Sequence, residues 1–105
     1  MINIGLYYSV KKGHEAEFES TFLNVVSYLK KNIRGFKDAS IYKKVGSSSG
    51  VTDYMLYSDW EDIGSFREFM KSSAFKETTS RGRDIIEGRP YHRIFTEVGD
   101  MEKNA

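Results

Sequence analysis

The sequence predicts a single α+β domain in which strands and helices follow the ferredoxin-like order β-α-β-β-α-β. Three observations lead to this prediction. The first segment alternates apolar and other residues at period two, two later regions repeat apolar residues at spacings of three and four, and strand-like segments follow each of those regions. The chain has 105 residues, which suits one domain. We expect that domain to cover 1–99 and a polar tail to cover 100–105.

The first strand and the first helix have clear periodic patterns. From Ile2 to Val10 the even-numbered residues are apolar or aromatic, which predicts a strand with one buried face. A helix is then predicted from about His14 to about Lys31, with acidic residues in its first turns and lysines at its end, as the helix dipole favours. The apolar stripe of this helix has spacings of four, three and four residues and comprises Phe18, Phe22, Val25 and Leu29.

The next two segments predict a pair of strands. Alternation from Phe36 to Val45 indicates the second strand, and the Gly46–Gly50 connector consists of glycine and serine. The third strand is predicted from Val51 to Ser58. Its large side chains fall on both faces, which is typical of a strand that meets helices on one side and a second sheet on the other.

A second helical region is predicted after the third strand. Ser58 and Glu61 have the spacing of a capping box, so we expect this helix to begin near Asp59. We also expect it to break at Lys71–Ser73. Its buried stripe comprises Ile63, Phe66 and Met70.

The last part of the chain predicts one more helical stretch and one more strand. The helical stretch is expected to run from about Ala74 through Ile86 and to end at Gly88, because a glycine followed by Pro90 is a common stop signal. The final strand is predicted from Tyr91 to Val98.

Composition and charge narrow the classes of partner. Lys and Arg total 16 against 15 for Asp and Glu, so we expect neither nucleic acid nor a membrane surface as a partner. The sequence contains no Cys, no apolar run of about 20 residues and no signal-peptide pattern at its N-terminus, which favours a cytoplasmic location. Aromatic residues make up 14% of the chain, a share that points to a cavity or an interface.

The predicted sheet has one face that its own helices do not cover. Both helices of the β-α-β-β-α-β order lie on the same side of an antiparallel sheet. On the other side the first and third strands would present Tyr7, Met55 and Tyr57. Because a patch of that kind is rarely left in water, we expect a homodimer that forms through this face.

At this point the chain resembles the antibiotic biosynthesis monooxygenase family. The residues that carry the resemblance are Lys12–Phe18 at the opening of the first helix, Gly35-Phe36, Ser58-Asp59-Trp60, Ser65-Phe66 and Phe69–Phe75. The resemblance extends from about Ile2 to Val98 and implies a dimeric α+β barrel with a pocket between sheet and helices. The family includes cofactor-independent oxygenases, heme-degrading oxygenases and proteins without demonstrated activity.

The heme site of the family's heme-degrading branch can be compared with this sequence residue by residue. In that branch an Asn on the first strand, a Trp on the short helix and a His that ligates iron form the heme site. The resemblance places Leu6, Phe69 and Thr79 at these positions. Thr is a poor axial ligand for heme iron, so we expect no cofactor, with heme bound through a different ligand as an alternative.

The resemblance and the strand pattern together nominate site residues. His92 shares a strand face with Ile94 and is the candidate general base or iron ligand, with a hydrogen-bonded structural histidine as the alternative. His14 is expected at the surface, and no set of metal ligands stands out. The candidate residues of the substrate pocket are Leu6, Tyr8, Phe22, Trp60, Phe66, Phe69 and Thr79, of which Trp60 is also interpreted as a packing anchor.

Three functional hypotheses follow. The leading one is a protein that binds a small apolar aromatic or cyclic molecule and oxidises it with O₂ without a bound metal, the cavity and one polar group holding the deprotonated substrate. The second is a non-catalytic ligand-binding or sensor module. The third is a heme-binding or heme-degrading protein with an atypical axial ligand.

Overall fold

A computed structural model of the chain describes residues 1–46 and 50–99. Its four strands form one antiparallel sheet in the order β2-β3-β1-β4, which confirms the predicted ferredoxin-like α+β arrangement. Ser47–Ser49 of the predicted connector and the predicted tail Asp100–Ala105 lie outside the described residues. The elements are β1 (Ile2–Lys11), α1 (Glu15–Asn32), β2 (Phe36–Lys43), β3 (Val51–Trp60), α2 (Ile63–Lys71), α3 (Ser73–Gly82) and β4 (Ile86–Thr96).

The two faces of the sheet differ as the period-two pattern of β1 predicts. Ile4 and Val10 are fully buried beneath the helices, and Ile4 lies opposite Ser58 of β3 in the register. Tyr7 lies opposite Met55 on the other face. Among the described residues, the buried clusters take their strand members from the helix-covered face alone. The helices of the described part include none that is long and apolar enough to cross a membrane.

The start of α2 differs from the prediction. Ser58 does not cap a helix, because β3 continues to Trp60 and Asp62 is the capping residue, its Oδ1 accepting from the Ser65 amide at 2.8 Å. The Ser58 hydroxyl is buried and makes two hydrogen bonds within the β1–β3 layer instead. It donates to the Ile4 carbonyl at 3.3 Å and accepts from the Trp60 indole at 2.8 Å. Tertiary pairing with β1 therefore overrides a local capping pattern.

The approach of α2 to the β1–β3 layer depends on Gly35. A Cβ atom at Gly35 would come within 1.9 Å of the Ser65 hydroxyl oxygen, so no larger residue fits without moving α2. The Gly35 carbonyl also accepts from the Glu61 amide at 2.7 Å. The turn before β2 and the start of α2 are thus joined at one point.

The boundary between α3 and β4 is also different. The helix ends at Gly82, and Ile86 is the first residue of β4 rather than part of a helix. Ile85 is buried, and its carbonyl accepts from the Lys11 amide at 2.8 Å, so the sheet continues where the sequence pattern predicts a helix. Gly88 does not end a helix either. It lies within β4 at a φ of 73°, in an irregularity of the strand.

Two groups of buried side chains lie between the sheet and the helices. What we call the Val10 cluster joins the ends of β1 and β3 to the start of α1, and comprises Val10, Phe18, Tyr54 and Ile85. The larger group, called here the Trp60 cluster, lies toward the other end and comprises Ile4, Leu29, Ile33, Phe36, Trp60, Phe66 and Phe69. Members of both clusters border the cavity described next.

Candidate functional site

A cavity of about 770 Å³ lies between the sheet and the helices, within the size range of small-molecule sites. Leu6 and Tyr8 of β1 contribute from the sheet, and Phe22 of α1 and Phe75 of α3 contribute from the helices. Most of the remaining wall is apolar as well. Further lining residues include Phe18, Val25, Tyr28, Leu56, Phe69, Met70, Ala74, Ile85, Ile86, Pro90 and His92. The arrangement suits a molecule with a large apolar surface.

Four charged residues border the cavity and are called here its charged rim. They are two carboxylates, Glu17 and Glu77, and two guanidinium groups, Arg81 and Arg83. Arg81 pairs with Glu77 at 3.8 Å across one turn of α3, and both side chains are largely exposed. Because the opposite charges balance and are well solvated, this rim does not select strongly for either sign of ligand.

Six of the eight residues nominated from the sequence border the cavity. Leu6, Tyr8 and His92 reach it from the sheet, and Phe22, Phe69 and Thr79 reach it from the helices. Trp60 and Phe66 are not among its lining residues. The fold therefore brings together most of the nominated set, although whether these side chains contact a ligand stays a prediction.

Trp60 and Phe66 lie in the Trp60 cluster instead. Trp60 has 1% of its surface exposed, and its ring packs edge-on against Phe36 and Phe66 at centroid distances of 5.2 and 5.4 Å. Its indole N–H is satisfied by the Ser58 hydroxyl. No face of the indole is free for a ligand. The surroundings of Trp60 therefore agree with its interpretation as a packing anchor and do not place it in the substrate pocket.

His92 lies on β4 directly opposite Leu6 of β1 and borders the cavity. Its ring meets the edge of Phe66 at 5.9 Å, and its nitrogens have no hydrogen-bond partner among the described residues. The alternative of a hydrogen-bonded structural histidine therefore finds no support in this part of the chain. His92 is exposed, as is every residue of β4 after Ile86, so its nitrogens are open to solvent as well as to the cavity.

The position that corresponds to the heme ligand of the resembling branch does not fit that role. Thr79 borders the cavity but is exposed, and its hydroxyl donates to the Phe75 carbonyl at 2.9 Å within α3. Threonine also lacks the imidazole that binds heme iron in that branch. Of the two histidines in the sequence, His92 is on the cavity wall, whereas His14 is exposed and contacts Glu17 at 3.2 Å.

Two tyrosines on the helix-covered face have contrasting environments. Tyr54 donates to the Glu19 carboxylate at 2.5 Å, and its burial and this acceptor raise the pKa of the phenol. The same hydrogen bond, with one from Lys43, lowers the pKa of Glu19. Tyr8, directly across from Tyr54 in the β1–β3 register, has its pKa raised by burial alone.

Several cavity residues were not nominated from the sequence. Phe75 lies four positions before Thr79 and Tyr28 lies three positions after Val25, so helical spacing from nominated or stripe residues could have found both. Gly88 and Pro90 could not have been found in this way, because they border the cavity only through the irregularity in β4. Among the described residues, no group of three or more His, Asp or Glu side chains could hold a metal ion.

Comparison with known proteins places the chain in context. The family model described as "Antibiotic biosynthesis monooxygenase" matches residues 1–81. Structures of related architecture cover nearly all of the chain. A protein from Nitrosomonas europaea with that same family description has a TM-score of 0.78 at 12% identity, covering 93% of this chain and 99% of that one.

A structure with a stated activity is also similar. A variant of SnoaB, a cofactor-independent oxygenase from Streptomyces nogalater, has a TM-score of 0.72 at 20% identity and covers 92% of this chain and 93% of its own. At such identities the likeness extends to the fold alone.

Curated relatives have another description. A "putative heme-binding protein" of Natronomonas pharaonis is 28% identical over 89 residues, and one of Halobacterium salinarum is 29% identical over 89 residues. The match covers 85% of this chain in both cases. The chain spans only 14% and 17% of the length of these two relatives.

Proposed function

This chain belongs to the antibiotic biosynthesis monooxygenase family, and we propose that its cavity binds a small, largely apolar aromatic or cyclic molecule. The observation that carries the proposal is the cavity of about 770 Å³, lined mainly by aromatic and aliphatic side chains between the sheet and the helices. The ring of a ligand would pack against aromatic side chains that border the cavity, among them Phe22, Phe69 and Phe75.

The reaction we propose for the bound molecule is oxygenation without a resident metal. An electron-rich substrate anion supplies the electrons: a ring CH₂ group loses a proton, the carbanion bonds to O₂, and loss of water leaves a ring carbonyl. One oxygen atom stays on the product and the other leaves as water. His92 is the group we propose to accept the proton, since its nitrogens are free and it borders the cavity.

Oxygen uptake measured with a panel of cyclic ketones that carry a ring CH₂ group beside an aromatic ring tests this reaction. We expect uptake and one carbonyl product per O₂ for at least one compound, abolished by His92→Ala. The matched control is His14→Ala, because His14 is exposed and lies outside the cavity. Binding without oxygen uptake by any compound would contradict the oxygenase and leave the non-catalytic binding module. Unchanged turnover in His92→Ala would contradict the role of His92.

Heme binding is the second candidate, favoured by the free imidazole of His92 on the cavity wall and by the heme-binding names of curated relatives. Heme iron, when bound, would activate O₂. His92 would ligate the iron, because Thr79 stands where the heme-degrading branch has its histidine ligand. Titration with hemin should then give a saturable Soret shift at one equivalent, lost in His92→Ala and kept in His14→Ala. Absence of a shift in the unmodified protein excludes this candidate.

We also propose that a second copy of the chain covers the free face of the sheet. That face exposes Tyr42, Tyr91 and Phe95, each by about half. Tyr7 lies flat across Gly5, stacks on Tyr91 at 4.8 Å, and has the Arg93 guanidinium above it. A flat aromatic surface with one ordered cation suits burial against a second sheet.

Sedimentation of the unmodified protein should give twice the mass of one chain. Phe95→Glu should shift the population to monomer, because it buries a charge without a partner in the proposed interface. Leu23→Glu is the control: Leu23 is exposed on α1, away from the sheet face, so this variant should stay dimeric. Monomer in the unmodified protein at micromolar concentration would overturn the proposal.

A further inference from the structure

Tyr8 lies at the point where the sheet beneath the cavity is interrupted. Its neighbours Tyr7 and Ser9 pair with Tyr91 and Glu87 of β4, so three residues of β4 stand opposite Tyr8 alone. These three are Gly88, Arg89 and Pro90. The positive φ of Gly88 and the missing N–H of Pro90 suit an irregularity rather than a regular ladder. Gly88 and Pro90 border the cavity beside Tyr8 for this reason.

The hydroxyl of Tyr8 has no partner in the described part of the chain. Tyr54, its partner in the β1–β3 register, lies on the same face and differs in this respect. Its hydroxyl donates to the Glu19 carboxylate at 2.5 Å. A hydroxyl without a protein partner that still reaches solvent is met by water, which an oxygen atom of a ligand can replace. Native proteins seldom leave such a group unmet unless water or a ligand meets it.

The Tyr8 hydroxyl also has access to free space. Within the described residues, no side-chain nitrogen or oxygen that is sealed from solvent lacks a hydrogen-bond partner. Because the Tyr8 hydroxyl lacks one, it is not sealed, and the Tyr8 ring packs on Phe18 at 5.3 Å. Tyr8 borders the cavity and also a smaller pocket beside Glu87 and Arg89. The contact with Phe18 fixes the ring, so the hydroxyl is held in place before any ligand arrives.

We propose that Tyr8 is a specificity-determining residue that donates a hydrogen bond to an oxygen atom of the bound molecule. This inference rests on the proposed ligand-binding function and adds a requirement to it: the ligand is a ring system that carries a carbonyl or phenolate oxygen, with its apolar part toward Phe69 and Phe75. The raised pKa of Tyr8 keeps the phenol protonated, which makes it a donor throughout the neutral range.

Paired probes that differ by the oxygen atoms test the assignment. We would measure the affinity of naphthoquinone and of naphthalene for the unmodified protein and for Tyr8→Phe, which keeps the ring and removes the hydroxyl. We expect naphthoquinone to bind about 5- to 10-fold more weakly to Tyr8→Phe, the equivalent of one hydrogen bond, and naphthalene to bind equally to both. Tyr54→Phe is the matched control and should leave both affinities unchanged, because Tyr54 does not border the cavity.

The outcomes separate this assignment from the proposed function. Equal affinity of naphthoquinone for the unmodified protein and Tyr8→Phe would overturn the role of Tyr8 while leaving the apolar pocket in place. A similar loss for both probes would also overturn it, since that result would indicate a change of shape rather than a lost hydrogen bond. If the unmodified protein bound neither probe, the pocket function and the assignment would fail together.

Discussion

The two ends of the space between sheet and helices are built differently. At one end the Trp60 cluster fills it, and α1 and α2 both contribute buried side chains, Leu29 and Phe69 among them. At the other end α3 contributes none: not one of its ten described residues is buried. The cavity lies against α3 and shares that end with the smaller Val10 cluster. The dense packing around Trp60 and the free volume beside α3 therefore meet along one boundary. The residues that belong to both are Leu6, Val25, Tyr28, Phe69, Met70 and Phe75.

The difference shows how a small domain can keep a large cavity. An open cavity of this size leaves apolar lining atoms in contact with solvent rather than packed, and that loss of burial has to be offset elsewhere. Here the offset comes from aromatic side chains concentrated around Trp60, whose ring contacts Phe36, Phe66 and Phe69. If this division is correct, substitutions in the two regions should affect different properties.

The largest expected effect is on stability, in Trp60→Ala. This change removes the side chain at the centre of the Trp60 cluster together with its hydrogen bond to Ser58, and should lower the free energy of unfolding by about 3–5 kcal/mol. Denaturant unfolding followed by circular dichroism measures it. A loss below about 1 kcal/mol would mean that the cluster does not carry the stability of the domain.

Phe75→Ala is the counterpart on the cavity side. Phe75 is half-buried and packs against Phe69 at 5.2 Å, so we expect a smaller loss of about 1–2 kcal/mol. The affinity for naphthalene should fall more clearly, because the ligand loses an aromatic surface. Should Phe75→Ala destabilise the protein as much as Trp60→Ala does, the separation between the two regions would not hold.

A third difference should appear at alkaline pH, where the Val10 cluster is the sensitive region. Burial and the Glu19 carboxylate raise the pKa of Tyr54 above its ordinary value of about 10, so the folded state holds the phenolic proton more tightly than the unfolded state does. This contribution to stability is complete below pH 10 and is lost as the pH rises toward the folded-state pKa.

Tyr54→Phe should therefore flatten the decline of stability above pH 10, as measured by thermal unfolding across a pH series. Tyr42→Phe is the control, since Tyr42 lies on the opposite face of the sheet and its hydroxyl has no carboxylate partner among the described residues. A decline that is equally steep in Tyr54→Phe and in the unmodified protein would show that the Tyr54–Glu19 pair does not set it.

The smallest effect is expected from Thr79→Ala. Its hydroxyl bonds only within α3 and the residue is exposed, so stability should change by no more than about 0.5 kcal/mol. Hemin binding, if it occurs, should be unaffected, because we propose His92 as the ligand. Loss of the Soret shift in Thr79→Ala would instead show that position 79, where the heme-degrading branch has its iron ligand, contributes to heme binding.

Much of the fold could be predicted because its signals are local and repeated. The alternation of β1 and the stripe of α1 each report one buried face over about ten or more residues, and the structure follows both. The errors lie where a short motif competes with a distant strand. Ser58 has the spacing of a cap but pairs with Ile4 of β1, and Ile86 fits a helical pattern but pairs with Val10. Both pairings join residues that are far apart in the sequence, so no local pattern could have predicted them.

The sequence by itself determined the element order and the helix-covered face of the sheet, because periodicity states which side chains share a face. Among the residues that border the cavity, Leu6, Phe69 and Thr79 were nominated from the family resemblance instead. Only the tertiary structure decided that Trp60 and Phe66 fill the core, that β4 is interrupted opposite Tyr8, and that α3 contributes no buried residue of those described. Free volume is a property of how elements meet, and residues far apart in the chain set it.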